Sequence, residues 1–153
     1  MIQYFYYLEF KYEVDKDKLN DSIFSTFSLG YFSSKKKALE KIEFYRNIVG
    51  FNKHPVDCFK IVKMGVQFEN KIINKSIISL YELYHEYYVE NEDYDVTNIV
   101  DLYESEKKAK AAIKKYVKVK PYKLYPDNFQ IFAIEVDCKI DSWAEGFVSW
   151  DDE

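Results

Sequence analysis

Glycine, proline and cysteine are scarce in this chain of 153 residues, which contains four Gly, three Pro and two Cys. Four glycines are too few for a Gly-rich loop that wraps a phosphate, and the Gly-x-Ser-x-Gly motif of serine nucleophiles does not occur. Two histidines and two cysteines without the spacing of metal ligands predict no metal site. We therefore expect a protein that is not an enzyme and that needs no cofactor.

Long hydrophobic runs are also missing. No segment approaches the roughly 20 apolar residues of a membrane-spanning helix, and no charged leader with an apolar core follows Met1. The two cysteines, Cys58 and Cys138, lie at unrelated positions, so we expect two free thiols rather than a disulfide. These features predict a cytoplasmic protein that binds no membrane.

Aromatic residues are abundant instead, because 15 Tyr and 12 Phe help to raise the aromatic share to 19%. So much surface to bury predicts a folded, globular chain. Charge is divided unevenly: residues 1–75 carry 13 Lys and Arg against 9 Asp and Glu, whereas residues 76–153 carry 9 against 17. The second half therefore has a net charge of −8, which disfavours nucleic acid and favours a basic protein as the partner.

An internal repeat organises the chain. Residues 31–38 recur as residues 102–109, and each segment has a serine, Ser34 or Ser105, where a helix N-cap is expected. The offset is 71 residues there and 75 in the strand before it, because the intervening loop is four residues shorter in the second copy. Matches on both sides of such gaps are typical of a duplicated unit.

Each copy predicts a strand, a second strand, a helix and a third strand. We expect an α+β fold in which the two units form one mainly antiparallel sheet with both helices on one face. The chain 1–153 is then a single domain of two repeats, about 4–68 and 77–137, followed by a tail, 138–153. We call these the first and the second repeat.

Side-chain periodicity predicts which faces are buried. Alternation along the first strand places Tyr4, Tyr6, Leu8, Phe10, Tyr12 and Val14 on one face. Helical spacing then gives two buried stripes, in which Ala38 and Ala109 hold equivalent positions. The stripes consist of Ala38, Leu39, Ile42, Tyr45 and Val49 in the first repeat, and of Ala109, Ala112, Ile113, Tyr116 and Val117 in the second.

Acidic and aromatic residues of the second half form the candidate binding site. Glu82, Glu86 and Glu90 share one face of a strand, and the tail interleaves two tryptophans with carboxylates. Aromatic anchors rimmed by acids suit a basic protein surface. An equally simple alternative is that the tryptophans are core and the acids a solvated edge. The tail residues of this candidate site are Asp141, Trp143, Glu145, Phe147 and Trp150.

His85 is the other candidate. It lies between Tyr84 and Glu86 and takes the place of Phe10 in the first repeat. A general acid or base role needs a positioned partner, which Asp141 or Glu145 could supply. The alternative, which we favour, is a partly buried histidine held by one hydrogen bond.

The second repeat resembles a small bacterial domain family of uncharacterised function, and the resemblance covers residues 80–148. It implies a fold more than an activity, and the first repeat lacks both the histidine and the Trp-x-Glu-Gly-Phe ending. Small, acidic, aromatic-rich α+β proteins are also similar in style to immunity proteins that neutralise interbacterial toxins. The family resemblance rests on segments 83–87, 102–105, 125–127 and 143–148, with Ala109, Ile113, Phe129 and Ile131.

These patterns and resemblances together favour a non-enzymatic immunity or antitoxin protein, whose acidic second half masks the basic site of a toxin. The alternative is a small-ligand or regulatory module with a pocket near His85 and Trp143.

Overall fold

The computed structural model describes residues 1–16, 22–69, 78–89 and 94–138. Each repeat contributes three strands and one helix, together with short 3₁₀ helices that include Phe51–Lys53 and Tyr122–Leu124. The predicted tail lies outside the described residues, apart from Cys138. The elements are β1 (Ile2–Lys16), β2 (Ser22–Phe32), α1 (Lys35–Tyr45), β3 (Phe59–Gln67), β4 (Ser79–Val89), β5 (Tyr94–Tyr103), α2 (Glu106–Tyr116) and β6 (Phe129–Glu135).

The described strands form two antiparallel three-stranded sheets, in the orders β2-β1-β3 and β5-β4-β6. The predicted α+β class and the duplicated β-β-α-β unit are confirmed. The sequence predicts one six-stranded sheet, whereas the strands pair as two. Large aromatic side chains explain the difference, because each buries about 150–250 Å² and lets a small unit build its own core.

The first strand of each repeat is the central strand of its sheet. Its pairing with the second strand shifts register at the same place, between Leu8 and Glu9 in β1 and between Leu83 and Tyr84 in β4. The extra residue lies on the second strand in both sheets, Leu29 in β2 and Val100 in β5. The sheets therefore share the position of this β-bulge at the offset of 75 as well as their strand order. Such a bulge bends the strand pair locally and is kept within related folds.

The two helices begin in the same way and have the same length. The Ser34 and Ser105 hydroxyls each accept a hydrogen bond of 3.2 Å, from the backbone N–H of Lys37 and Lys108 respectively. Both caps satisfy a donor that the first helical turn leaves without an intrahelical partner. The predicted burial of Ala38 and Ala109 is confirmed, since both are fully buried.

The buried stripe of α1 is shorter than predicted. The helix ends at Tyr45, so Val49 is 69% exposed, and Leu39 is 48% exposed on the outer side. Gly50 precedes the 3₁₀ helix Phe51–Lys53 with a φ of +98°, a conformation that glycine adopts without strain. The prediction was wrong for Val49 because the helical period cannot reveal where the chain leaves the helix. It was wrong for Leu39 because this residue lies about 100° around the helix from Ala38, at the edge of the buried stripe.

Both faces of β1 are buried near its start, which corrects the prediction of one buried face. Leu8, Phe10 and Tyr12 join the core under α1, but Phe5 and Tyr7, on the opposite face, are also buried. Val14 is among the residues whose side chains the structure does not describe. The buried face is therefore read correctly for the middle of β1, where polar residues alternate with the apolar ones.

Two compact units divide the chain, and their boundaries are not those of the repeats. The C-terminal unit consists of Met1–Gln3 and Gly65–Val136. The N-terminal unit consists of Tyr4–Met64 and Asp137–Glu153, of which only Asp137 and Cys138 are described among the later residues. The C-terminal unit thus includes the end of the first repeat, from Gly65 onwards, and the N-terminal unit includes the end of the second repeat, at Asp137. We call these two segments the exchanged ends.

Matching ion pairs hold these exchanged ends. In the N-terminal unit, Asp137 accepts hydrogen bonds from the Ser33 backbone N–H, at 2.9 Å, and the Ser33 hydroxyl, at 2.6 Å, and pairs with Lys37 at 3.0 Å. In the C-terminal unit, Lys108 pairs with Glu104 and with Glu69, the latter at 3.3 Å. Lys37 and Lys108 are equivalent residues, so in both units the same helix position forms an ion pair with an exchanged end.

Candidate functional site

An aromatic cluster lies between sheet and helix in each repeat. In the first repeat its centre is Phe10, which is fully buried. The rings around Phe10 come from the end of α1 (Tyr45), the following 3₁₀ helix (Phe51) and β3 (Phe59). The cluster consists of Phe10, Tyr12, Tyr45, Phe51, His54 and Phe59.

The second repeat builds the same cluster around His85. Its members are His85, Tyr87, Tyr116, Tyr122, Tyr125 and Phe129. Ring-centroid distances agree closely: 4.7 Å for both Phe10–Phe59 and His85–Phe129, 4.9 and 4.8 Å for Phe10–Phe51 and His85–Tyr122, and 4.5 and 4.6 Å for Tyr12–His54 and Tyr87–Tyr125.

His85 is a packed core residue held by one hydrogen bond. Its Nε2 lies 2.9 Å from the Tyr125 carbonyl oxygen, which accepts a hydrogen bond from Nε2–H. Within the described part of the chain, Nδ1 has no hydrogen-bond partner, although the ring is fully buried. The single hydrogen bond agrees with the interpretation favoured from the sequence, but the ring, which fills the position of Phe10, is fully rather than partly buried.

The tyrosines around His85 are less buried than their first-repeat equivalents. Tyr12 and Phe51 are buried, whereas Tyr87 and Tyr122 are half-buried. Burial raises the pKa of the Tyr122 hydroxyl, with smaller contributions from Tyr116 and Tyr87. Burial also raises the pKa of Tyr103, assisted by the charge of Asp101 and a hydrogen bond with Tyr116. These phenols therefore stay protonated and neutral throughout the physiological range.

The opposite face of β4 carries the acidic candidates. Alternation along the strand places Glu82, Tyr84, Glu86 and Tyr88 on the face away from His85, which we call the outer face. Phe132 of β6 joins them, because it pairs directly with Glu82. The ring of Phe132 meets that of Tyr84 at a centroid distance of 5.8 Å and an angle of 66°.

Exposure increases along this outer face. Glu82 is buried, Tyr84 and Glu86 are half-buried, and the rings of Tyr88 and Phe132 are 46% and 44% exposed. Among the described residues, the carboxylate of Glu86 forms no ion pair. The outer face therefore presents a partly desolvated carboxylate between aromatic rings.

The outer face of the first sheet is different. At the positions of Tyr84, Glu86 and Tyr88 the first repeat has Glu9, Lys11 and Glu13, and Lys60 stands where the second repeat has Gln130. None of β4, β5 and β6 contains a Lys or Arg residue, whereas β1 and β3 do. The second repeat therefore has the same scaffold without the cations that balance the acids in the first.

The described residues include only part of the predicted site and place that part on two faces of β4. Glu82 and Glu86 share the outer face, as predicted, but Glu82 is buried, and His85 lies on the opposite face. The sequence analysis missed Tyr84, Tyr88 and Phe132, although the alternation and the comparison of repeats contained the signal. The remaining predicted residues, Glu90, Asp141, Trp143, Glu145, Phe147 and Trp150, lie outside the described residues.

Comparison with known proteins adds no relative: no protein-family model, curated protein or solved structure matches the chain. Neither α1 nor α2 has the length and apolar character needed to cross a membrane, and no other described helix does. The chemistry of the outer face is therefore the best indication of function.

Proposed function

We propose that the chain is a non-enzymatic binding protein of the immunity type, which masks a basic site on a partner protein. The observation that supports this proposal best is the outer face of the second sheet. This face presents the rings of Tyr84, Tyr88 and Phe132 beside the carboxylate of Glu86, in a sheet whose three strands contain no Lys or Arg. A partner that supplies cations completes the charge balance that Lys11 and Lys60 provide in the first repeat.

The composition of the face suits a specific interface. Interfaces are enriched in Tyr, Phe and Trp at their centres, and an acidic patch steers a basic partner towards encounter. Glu86 is half-buried, so a partner that covers the outer face encloses its carboxylate in a desolvated pair. Breaking a desolvated charge pair costs on the order of 2–5 kcal/mol, which makes Glu86 the residue with the largest expected share of affinity.

A ligand-binding function centred on His85 is the second candidate, supported by the Nδ1 atom that has no partner among the described residues. The rings of Tyr87, Tyr122 and Phe129 lie within 5.8 Å of the histidine ring, measured between centroids, and fill the space that a ligand would need. The outer face is therefore the better supported site.

The test uses a protein encoded beside the gene for this chain, produced together with it in a bacterial host. If that protein is toxic, we expect the wild-type chain to restore growth and to bind it in a calorimeter. Glu86→Lys should weaken binding by at least about 30-fold, because a repulsive charge replaces a desolvated attractive one. Circular dichroism first establishes that the variant is folded.

Glu13→Lys is the matched control, since it makes the same change of charge on an exposed outer-face residue of the first repeat. It should change affinity less than about threefold, as expected for a charge outside the interface. Equal effects of Glu13→Lys and Glu86→Lys would overturn the site, and failure of the wild-type chain to bind any neighbouring product would overturn the function. His85→Phe should leave protection intact, whereas loss of protection would favour the second candidate.

A further inference from the structure

We infer that the outer face binds arginine rather than lysine side chains, with the carboxylate of Glu86 and the ring of Tyr84 forming a guanidinium site, and the ring of Phe132 packing against Tyr84 on the side away from Glu86. This inference rests on the proposed function and names the chemistry of its partner. Tyr84 and Glu86 are two residues apart on one strand face, a spacing of about 6.8 Å between Cα atoms. A planar group can therefore lie against the ring while its edge reaches the carboxylate.

The arrangement of the rings favours a flat cation. Tyr84 and Phe132 meet at 66°, so the edge of one ring points at the other and both keep exposed aromatic surface. A guanidinium group stacks on such a surface and donates two parallel hydrogen bonds to a carboxylate. An ammonium group is a compact, strongly hydrated charge, which cannot use both contacts equally well.

The first repeat shows how this chain treats an exposed ring when a cation is available. The Lys63 Nζ atom lies 4.3 Å from the centroid of Tyr4, so the chain covers that ring with its own side chain. On the outer face of the second repeat, Gln130 pairs with Tyr84 where the first repeat has Lys60, and neither Tyr84 nor Phe132 has a described cation over its ring. The second repeat leaves this contact to the partner.

The experiment measures binding of two short synthetic peptides that differ only in carrying arginine or lysine at every basic position. We expect the arginine peptide to bind about fivefold more tightly, which corresponds to one cation–π contact. Tyr84→Leu and Phe132→Leu should each bring the two affinities together while the salt dependence persists. Tyr4→Leu is the control, because Lys63 already covers that ring, and it should keep the ratio unchanged.

Equal affinity of the wild-type chain for both peptides would overturn the guanidinium site, and so would a preference that survives in both leucine variants. Neither result contradicts the proposed function, provided that Glu86→Lys still weakens binding of the neighbouring gene product. If neither peptide binds, the guanidinium site is also wrong, and the growth assay judges the proposed function separately. Near-ultraviolet circular dichroism identifies a leucine variant that has lost its fold. The other leucine variant then tests whether the preference for arginine depends on the rings.

Discussion

The two aromatic clusters share the positions of their rings but differ in polarity and in burial. Phe10 and His85 lie at equivalent positions, 4.7 Å from equivalent phenylalanines, yet the rings around Phe10 are mostly buried and those around His85 are half-buried. Ring positions are therefore set by the shared backbone, while polarity can change ring by ring. A duplicated fold can keep one repeat as an apolar core and modify the other at its surface.

Truncation of the central rings should give the largest difference between the repeats. We expect Phe10→Ala to lower the free energy of unfolding by about 3–5 kcal/mol, as for other buried phenylalanines. His85→Ala should cost less, about 1–3 kcal/mol, since water can reach the half-buried tyrosines around it. Urea denaturation followed by circular dichroism measures both values, and a larger loss for His85→Ala would contradict the comparison.

Exchange of the two central residues should be unequal in its effects. Phe10→His places ring nitrogens among buried aromatic rings and should cost about 1–3 kcal/mol, the usual penalty for an unsatisfied polar atom. His85→Phe loses the hydrogen bond to Tyr125 but also removes the Nδ1 atom without a described partner, so it should change stability by less than about 1 kcal/mol. Matched urea titrations test this, and equal costs would mean that the clusters are equally polar inside.

The ion pairs at the exchanged ends should differ in their response to pH. Burial alone would raise the pKa of Asp137, but hydrogen bonds from Ser33 and the charge of Lys37 together hold it below its ordinary value of 3.8. A lowered pKa stabilises the fold above pH 3.8 and loses that stabilisation as pH falls through the folded-state value. Asp137→Asn should cost about 1–3 kcal/mol at pH 7 and flatten the loss of stability below pH 4.

Denaturation at pH 7 and pH 3 tests the behaviour of Asp137, with the exposed Asp127→Asn as control. If both variants keep the full acid dependence, Asp137 is not the responsible group. In the second repeat, Lys108 also pairs with Glu69, whose side chain is 72% exposed against 27% for Asp137, so Glu69→Gln should cost less than Asp137→Asn.

Removal of the helix caps should give the smallest and most similar effects. Ser34→Ala and Ser105→Ala each delete a hydrogen bond of 3.2 Å to the first helical turn. Each should cost about 1 kcal/mol, with the two values within about 0.5 kcal/mol of each other. Thermal unfolding of both variants provides the measurement, and a clear inequality would show that the repeats do not use the cap alike.

Local signals allowed much of the fold to be predicted. The caps at Ser34 and Ser105 and the burial of Ala38 and Ala109 follow from rules that involve a few neighbouring residues. The site was only partly predictable: Glu82 and Glu86 share a face because alternation requires it. Burial of Glu82 depends on contacts far away in sequence, which alternation cannot report.

Strand pairing and the exchanged ends were beyond prediction for a related reason. A helix period says which residues face inwards, but not which sheet edge a distant strand joins. Nothing near Asp137 in the sequence indicates that its carboxylate reaches Ser33 and Lys37. Tyr84, Tyr88 and Phe132 were missed because aromatic residues are so frequent here that a single ring carries no information until the two repeats are compared position by position.

The exchange of ends also has a consequence for synthesis on the ribosome. Domains generally fold from the N-terminus as the chain emerges, but the N-terminal unit of this protein lacks one of its anchors until Asp137, 104 residues after Ser33, has been made. The contacts of Asp137 with the start of α1 can therefore form only after almost the whole chain has been made. Translation of the last strand, rather than of the first repeat, sets the moment at which both units can be complete.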